Sequence, residues 1–149
     1  MKIAIGSDHG GIQLKEAIKV FLSDNGYDYT DFGTNSTGSC DYPDYALPVA
    51  EAVVAKDYEF GILICGTGIG ISIAANKVPG ARAALCCDTF SAHATREHNN
   101  ANILALGQRV IGEGLALDIV KTFLTSKFEG DRHQNRIDKI SEIEKKYNK

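Results

Sequence analysis

Residues 61–76 read GILICGTGIGISIAAN, and the way this stretch is taken decides the fold. Ile62, Leu63, Ile64 and Cys65 form an apolar run that meets Gly66-Thr67-Gly68-Ile69-Gly70, after which Ile71, Ile73, Ala74 and Ala75 recur at helical spacing. The pattern predicts a buried strand, a glycine loop and a helix. Such a junction leaves backbone N–H groups unpaired at the helix N-terminus, pointing into the crevice beyond the sheet, where they bind anions. The loop also carries a thiol at its first turn, and the positive end of a helix favours the thiolate form of a cysteine beside it. A candidate base and an anion cradle therefore coincide. A plainer reading stands against this: glycine turns follow strands throughout α/β proteins, and a cysteine at a strand end is commonly a small buried hydrophobe. Nucleotide motifs fit poorly, because a dinucleotide fingerprint needs glycine where Ile71 stands and a phosphate loop of the ATPase kind needs Gly-Lys-Ser/Thr.

Working outward, residues 2–6 read as a first strand that breaks at Ser7-Asp8-His9-Gly10-Gly11, followed by a helical period that stops at Asn25-Gly26. Residues 27–32 read as a second strand, 33–44 as a polar loop, and 45–56 as an alanine-rich helix. Beyond the central stretch, strands are expected at 81–86 and 103–106, with helices at 89–97 and 112–126. This alternation predicts a Rossmann-like α/β fold: a three-layer sandwich around a five-stranded parallel sheet with right-handed crossovers, a single domain over 1–149. Ligands in such sheets bind beyond the carboxyl ends of the strands, where Asp8-His9, the Cys65 loop and the segment after Cys87 should lie. Residues 132–149 depart from the alternation. Ile137, Ile140, Ile143 and Tyr147 mark an extended amphipathic C-terminal helix, able to cover its own domain or to reach a second subunit.

Composition narrows the function. With 44% hydrophobic and 23% charged residues and a formal net charge of -3, the chain carries no basic field to attract nucleic acid or a membrane surface. No apolar run reaches the roughly 20 residues of a membrane span, and the first strand begins at once, without a secretory leader; a cytoplasmic location is expected. The four cysteines, Cys40, Cys65, Cys86 and Cys87, lack metal-site spacing and read as free thiols.

Other candidate chemistry is local. Asp8 and His9 follow a strand and precede glycines, which suits a ligand-facing pair, although Asp8 also suits a helix cap. Arg132 and Arg136 share one face of the last helix with His133 beside them, an arrangement that suits a phosphate. The alternative is a solvated basic face balanced by Glu129 and Asp131. His98 falls where a helix should end, followed by Asn99 and Asn100, and suits acid/base work. No His/Asp/Glu cluster has the spacing of a structural zinc site, so neither metal nor cofactor is expected. Together these groups suit proton abstraction beside a carbonyl on a phosphorylated substrate.

The ordered motifs SDHGG (7–11), DYPDYA (41–46), ICGTGIGISIAANK (64–77), EHNNANILALGQRVIG (97–112) and RHQNRI (132–137) resemble the ribose-5-phosphate isomerase B family, within the group that includes the subunits of galactose-6-phosphate isomerase. The resemblance covers essentially the whole chain. It implies an aldose-ketose isomerase interconverting ribose 5-phosphate and ribulose 5-phosphate in the pentose phosphate pathway. Cys65 matches the family's base, which moves a proton between C1 and C2 through a cis-enediolate. Gly66, Thr67, Gly68, Ile69 and Gly70 match the loop whose amides stabilise that intermediate, with the Thr67 hydroxyl helping proton handling. His98 matches the acid that helps open the furanose ring. Asp8 and Asn99 match hydroxyl- or oxyanion-binding positions, with His9 among them. Arg109, Arg132 and Arg136 match substrate contacts, the last two at the phosphate.

One branch of the family uses a glutamate of the loop helix as base. No carboxylate stands between Gly66 and Asn76, so the cysteine-type mechanism is implied. The family also implies a homodimer or tetramer with sites built from both chains. Rival readings are a hexose-phosphate isomerase acting on allose 6-phosphate or galactose 6-phosphate, and a non-catalytic sugar-phosphate binding module.

Overall fold

The computed structural model describes residues 1–148. It contains β1 (Lys2–Ser7), a 3₁₀ turn (His9–Gly11), α1 (Ile12–Asp24), β2 (Asp28–Asp31), α2 (Pro43–Val54), β3 (Phe60–Cys65), α3 (Ile69–Ala75), β4 (Ala83–Leu85), α4 (Thr89–Asn99), β5 (Ile103–Gly107), α5 (Glu113–Thr125) and α6 (Arg132–Tyr147). The five strands form one parallel sheet in the order β2-β1-β3-β5-β4, which is the predicted Rossmann-like sandwich.

Local chemistry sets the ends of the elements. The α1 helix stops where Gly26 adopts a φ of 76°, a left-handed conformation that glycine accepts without strain, and the Tyr27 N–H returns to the Leu22 carbonyl. The α2 helix starts two residues before the expected Tyr45, because Pro43 supplies a first helical residue whose φ is already helical. Asp88 caps α4 by accepting the Ser91 N–H at 2.6 Å, and Asn100 closes that helix at a φ of 45°.

The strand order determines which face each helix covers. With right-handed crossovers, β1-α1-β2 and β4-α4-β5 step one way across the sheet, while β2-α2-β3 and β3-α3-β4 step the other. So α1 and α4, joined by α5, lie on one face, and α2 and α3 on the opposite one. The strand side chains alternate to match. Ile3, Ile5, Ile62, Ile64, Leu104 and Leu106 pack against the first group, and Ala4, Leu63, Ile103 and Ala105 against the second.

Two polar arrangements brace this frame. Lys15, fully buried in α1, donates to both carboxylate oxygens of Asp31 at 2.9 Å, to the Thr34 carbonyl at 2.7 Å and to Asn35 Oδ1 at 3.0 Å. A buried ammonium persists only with such partners. At the far edge of the sheet, the Asn76 side chain accepts the Ala83 N–H at 2.8 Å and donates to the Ala83 carbonyl at 2.9 Å, occupying the outer backbone groups of the first residue of β4.

Candidate active site

Because α1 leaves β1 on one face and α3 leaves β3 on the other, a crevice opens beyond the carboxyl ends of these neighbouring strands. Cys65 ends β3 at its rim, and its Sγ accepts the Gly68 N–H at 3.0 Å. Gly68 has a φ of 78°, and a Cβ there would meet Leu85 Cδ1 at 2.5 Å and the Leu106 carbonyl carbon at 2.8 Å. Only glycine holds this turn closed. Thr67 Oγ1 accepts the Ile69 N–H at 3.2 Å.

The loop is fastened from β5, where Gln108 and Arg109 donate their N–H groups to the carbonyls of Cys65 and Gly66, each at 2.9 Å. That approach needs Gly107, whose Cβ would stand 2.5 Å from the Thr67 backbone. The Arg109 guanidinium lies over Gly66, with Nη1 3.4 Å from where a Cβ would project.

Asp8 and His9 arrive from β1, and the Asp8 N–H donates to the Ile64 carbonyl at 3.3 Å. Asp8 Oδ1 accepts the Gly10 N–H at 2.9 Å. It is thus a cap, as the plainer reading had it, with its second oxygen left over. His9 Nδ1 lies 3.2 Å from the Cys40 N–H, which must donate, so a neutral His9 carries its proton on Nε2. Cys40 Sγ is 3.7 Å from the same nitrogen. Nothing in the spacing of residues 33–42 announces that this loop orients His9.

The remaining candidates gather elsewhere. Asn102, which follows α4, accepts the Gly61 N–H at 2.9 Å and so ties the end of that helix to the start of β3. Six residues of β3 separate this edge from Cys65, a distance of roughly 17 Å at about 3.3 Å per residue. His98 and Asn99 end α4 there. The His98 ring stacks on His133 at 4.4 Å between centroids, which brings the first turn of α6, with Arg132 and the exposed Arg136, to the same place. Asp8, His9, the Cys65 loop and Arg109 therefore form one group, and His98, Asn99, Arg132 and Arg136 another at the opposite end of the sheet.

Electrostatics distinguish several of these side chains. Burial pushes the His133 pKa down, the charges of Arg132, His98 and Arg136 add to the shift, and Glu129 opposes it. Burial pushes the Cys86 thiol up to about 12, with Asp88 and Cys87 adding to the effect, so it stays protonated as a packing residue. His133 stacks on His98 behind the second group, and the exposed Glu129 lies beside it without entering the group.

The fold is thus that of an α/β enzyme with a cysteine loop at a strand switch point. Known proteins agree. The family model for Ribose/Galactose Isomerase matches residues 3–140. Ribose-5-phosphate isomerase B of Escherichia coli is 49% identical, over 99% of this chain and 99% of its own. D-erythrulose-4-phosphate isomerase of Pectobacterium atrosepticum is 45% identical, over 97% of this chain and 95% of its own. The solved ribose-5-phosphate isomerase B of Clostridium thermocellum superposes with a TM-score of 0.98 at 61% identity, covering 99% of this chain and all of that one. The chain belongs to the ribose/galactose isomerase family, in the group of ribose-5-phosphate isomerase B, and is an isomerase. Among the described residues no helix is long and apolar enough to cross a membrane.

Proposed function

We propose that the protein interconverts D-ribose 5-phosphate and D-ribulose 5-phosphate, with Cys65 as the base and no cofactor. Cys65 takes the proton from C2 and returns it to C1, and the amides of residues 66–70 hold the negative charge of the cis-enediolate between the two transfers. Thr67 assists the proton transfer. His98 opens the furanose ring, Asp8, His9, Asn99 and Arg109 position the sugar, and Arg132 and Arg136 take the phosphate. The observation that carries this reading is the Gly68 N–H at 3.0 Å from Cys65 Sγ, a hydrogen bond that strengthens when the sulfur is a thiolate.

A single chain keeps its two groups at opposite ends of the sheet, so the working enzyme is a homo-oligomer. In it the Cys65 loop of one protomer meets His98, Asn99, Arg132 and Arg136 of its partner. The α6 helix supports this arrangement, because Ile140, Ile143 and Tyr147 expose an apolar stripe beyond its packing on α4.

The reading is tested by turnover of ribose 5-phosphate in chelator, with Cys65→Ala run in parallel and allose 6-phosphate as a second substrate. Conversion of the pentose by the wild type alone supports it. Preference for the hexose phosphate moves the assignment to the longer substrate, and inertness toward both leaves a binding module.

A further inference from the structure

His98 from the end of α4, Glu129 from the loop before α6 and His133 from its first turn place one ligand atom each within 4.8 Å of one another. His133 is 5% exposed, and its Nε2 is buried without a hydrogen-bond partner. The nearest carboxylate oxygen, Glu129 Oε2, is 3.9 Å away, beyond hydrogen-bond reach. A buried ring nitrogen is normally paired, so an orphan aimed at a carboxylate and a second imidazole marks a place for a ligand. We propose that these three residues form an inhibitory site for a borderline-soft divalent metal such as Zn²⁺. The binding stands on this geometry alone, whereas the inhibition rests on the role proposed for His98.

Two imidazoles and a carboxylate are a set that binds zinc with a fourth position open. Ligand atoms at about 2.0–2.2 Å from a tetrahedral metal lie about 3.4 Å apart, so separations of up to 4.8 Å have to contract by as much as about 1.4 Å. The backbone is already gathered: the Glu129 N–H donates to the Glu97 carbonyl at 3.1 Å, and the His133 N–H to the Gly130 carbonyl at 3.0 Å. The rings now stack with 16° between their planes, and a turn of His98 about its Cβ–Cγ bond aims its nitrogen at the metal. Arg132 and Arg136 oppose a dication. The site therefore selects metals that gain from imidazole bonding and excludes Ca²⁺ and Mg²⁺, which prefer oxygen. A metal there occupies the ring nitrogen of His98 and keeps it from carrying the proton that ring opening needs.

The test uses the purified full chain in phosphate-free buffer. Zn²⁺ titration is followed by calorimetry and by the imidazole ¹⁵N resonances of His98 and His133, and ribose 5-phosphate turnover is measured with and without the metal. Wild type and Glu129→Gln are compared. We expect both histidine resonances to move on Zn²⁺ addition, turnover to fall and to return with chelator, and Glu129→Gln to bind at least about tenfold more weakly while keeping wild-type turnover in chelator. Resonances that stay in place, or inhibition undiminished in Glu129→Gln, overturn the proposal by sending the metal to the thiols. Shifted resonances in a protein that turns over no sugar phosphate retain the metal site and discard the catalytic reading instead.

Discussion

The Gly68 N–H points at the sulfur of Cys65 from 3.0 Å, across a turn that only glycine can make. Replacing the thiol removes the acceptor and leaves a small apolar side chain in a pocket already closed around it. Cys65→Ala should therefore keep its thermal unfolding close to wild type and lose turnover by about 10²–10⁴-fold, the usual contribution of a general base. Gly68→Ala should do the reverse first, lowering the unfolding temperature through its left-handed φ and its clash with Leu85. Circular dichroism melts beside isomerase assays separate the two. A Cys65→Ala protein that fails to fold would remove the support for the base assignment.

The separation of Cys65 from His98 makes complementation a direct measurement. In a two-fold dimer with shared sites, a mixed pair of Cys65→Ala and His98→Ala chains holds one intact site and one doubly defective site. Half of the dimers are mixed after random reassociation, so unfolding and refolding the two inactive proteins together should restore about a quarter of the wild-type rate. No recovery, with mixed dimers present by mass spectrometry, places each site within one chain.

The Lys15–Asp31 pair predicts an acid limit. Partial burial raises the Asp31 pKa, and the hydrogen bonds from Lys15, Lys19 and the Gly33 N–H outweigh it, leaving the carboxyl below its ordinary 3.8. A depressed folded value contributes stability that is fully present above the unfolded value and is lost as pH falls through the folded one. Asp31→Asn should flatten the stability profile below about pH 4. Lys15→Ala, which leaves the carboxylate without its buried partner, should cost about 3–5 kcal/mol at neutral pH. Urea melts across pH 2–7 check both, and parallel curves for Asp31→Asn and wild type in acid would show that the pair has no such role.

Cys86 and Cys87 are adjacent but should differ in reactivity. Cys87 is exposed, whereas the Cys86 thiol is buried and pushed up to about 12. Iodoacetamide at pH 8 should label Cys87 in the native protein and reach Cys86 only on unfolding. Peptide mass mapping reads this, and native labelling of Cys86 would contradict the burial.

Much of the fold was legible because its signals are dense and local. The run from Ile62 to Ala75 announces strand, turn and helix in consecutive residues, and the alternation around it dictates a parallel sheet. The β4 strand, Ala83–Leu85, is shorter than the 81–86 that the sequence suggests, since an apolar run does not record where pairing ends. The grouping of the site was harder. His98 and Asn99 are named by motif, yet their place at the opposite end of the sheet from Cys65 follows only from α4 running antiparallel to the strands. The Cys40 contact with His9 left no trace, because a backbone N–H donor has no residue type.

The Asn76 amide against Ala83 does what a sixth strand would do, with one side chain. An edge strand with free N–H and C=O groups invites another chain to continue the sheet, and repetition of that contact builds fibres. Here the first pair of that row, on Ala83, is occupied by a group that cannot itself be extended. Self-association is turned away from the sheet edge and toward helical surfaces such as the stripe on α6, where a contact can close on itself and stop.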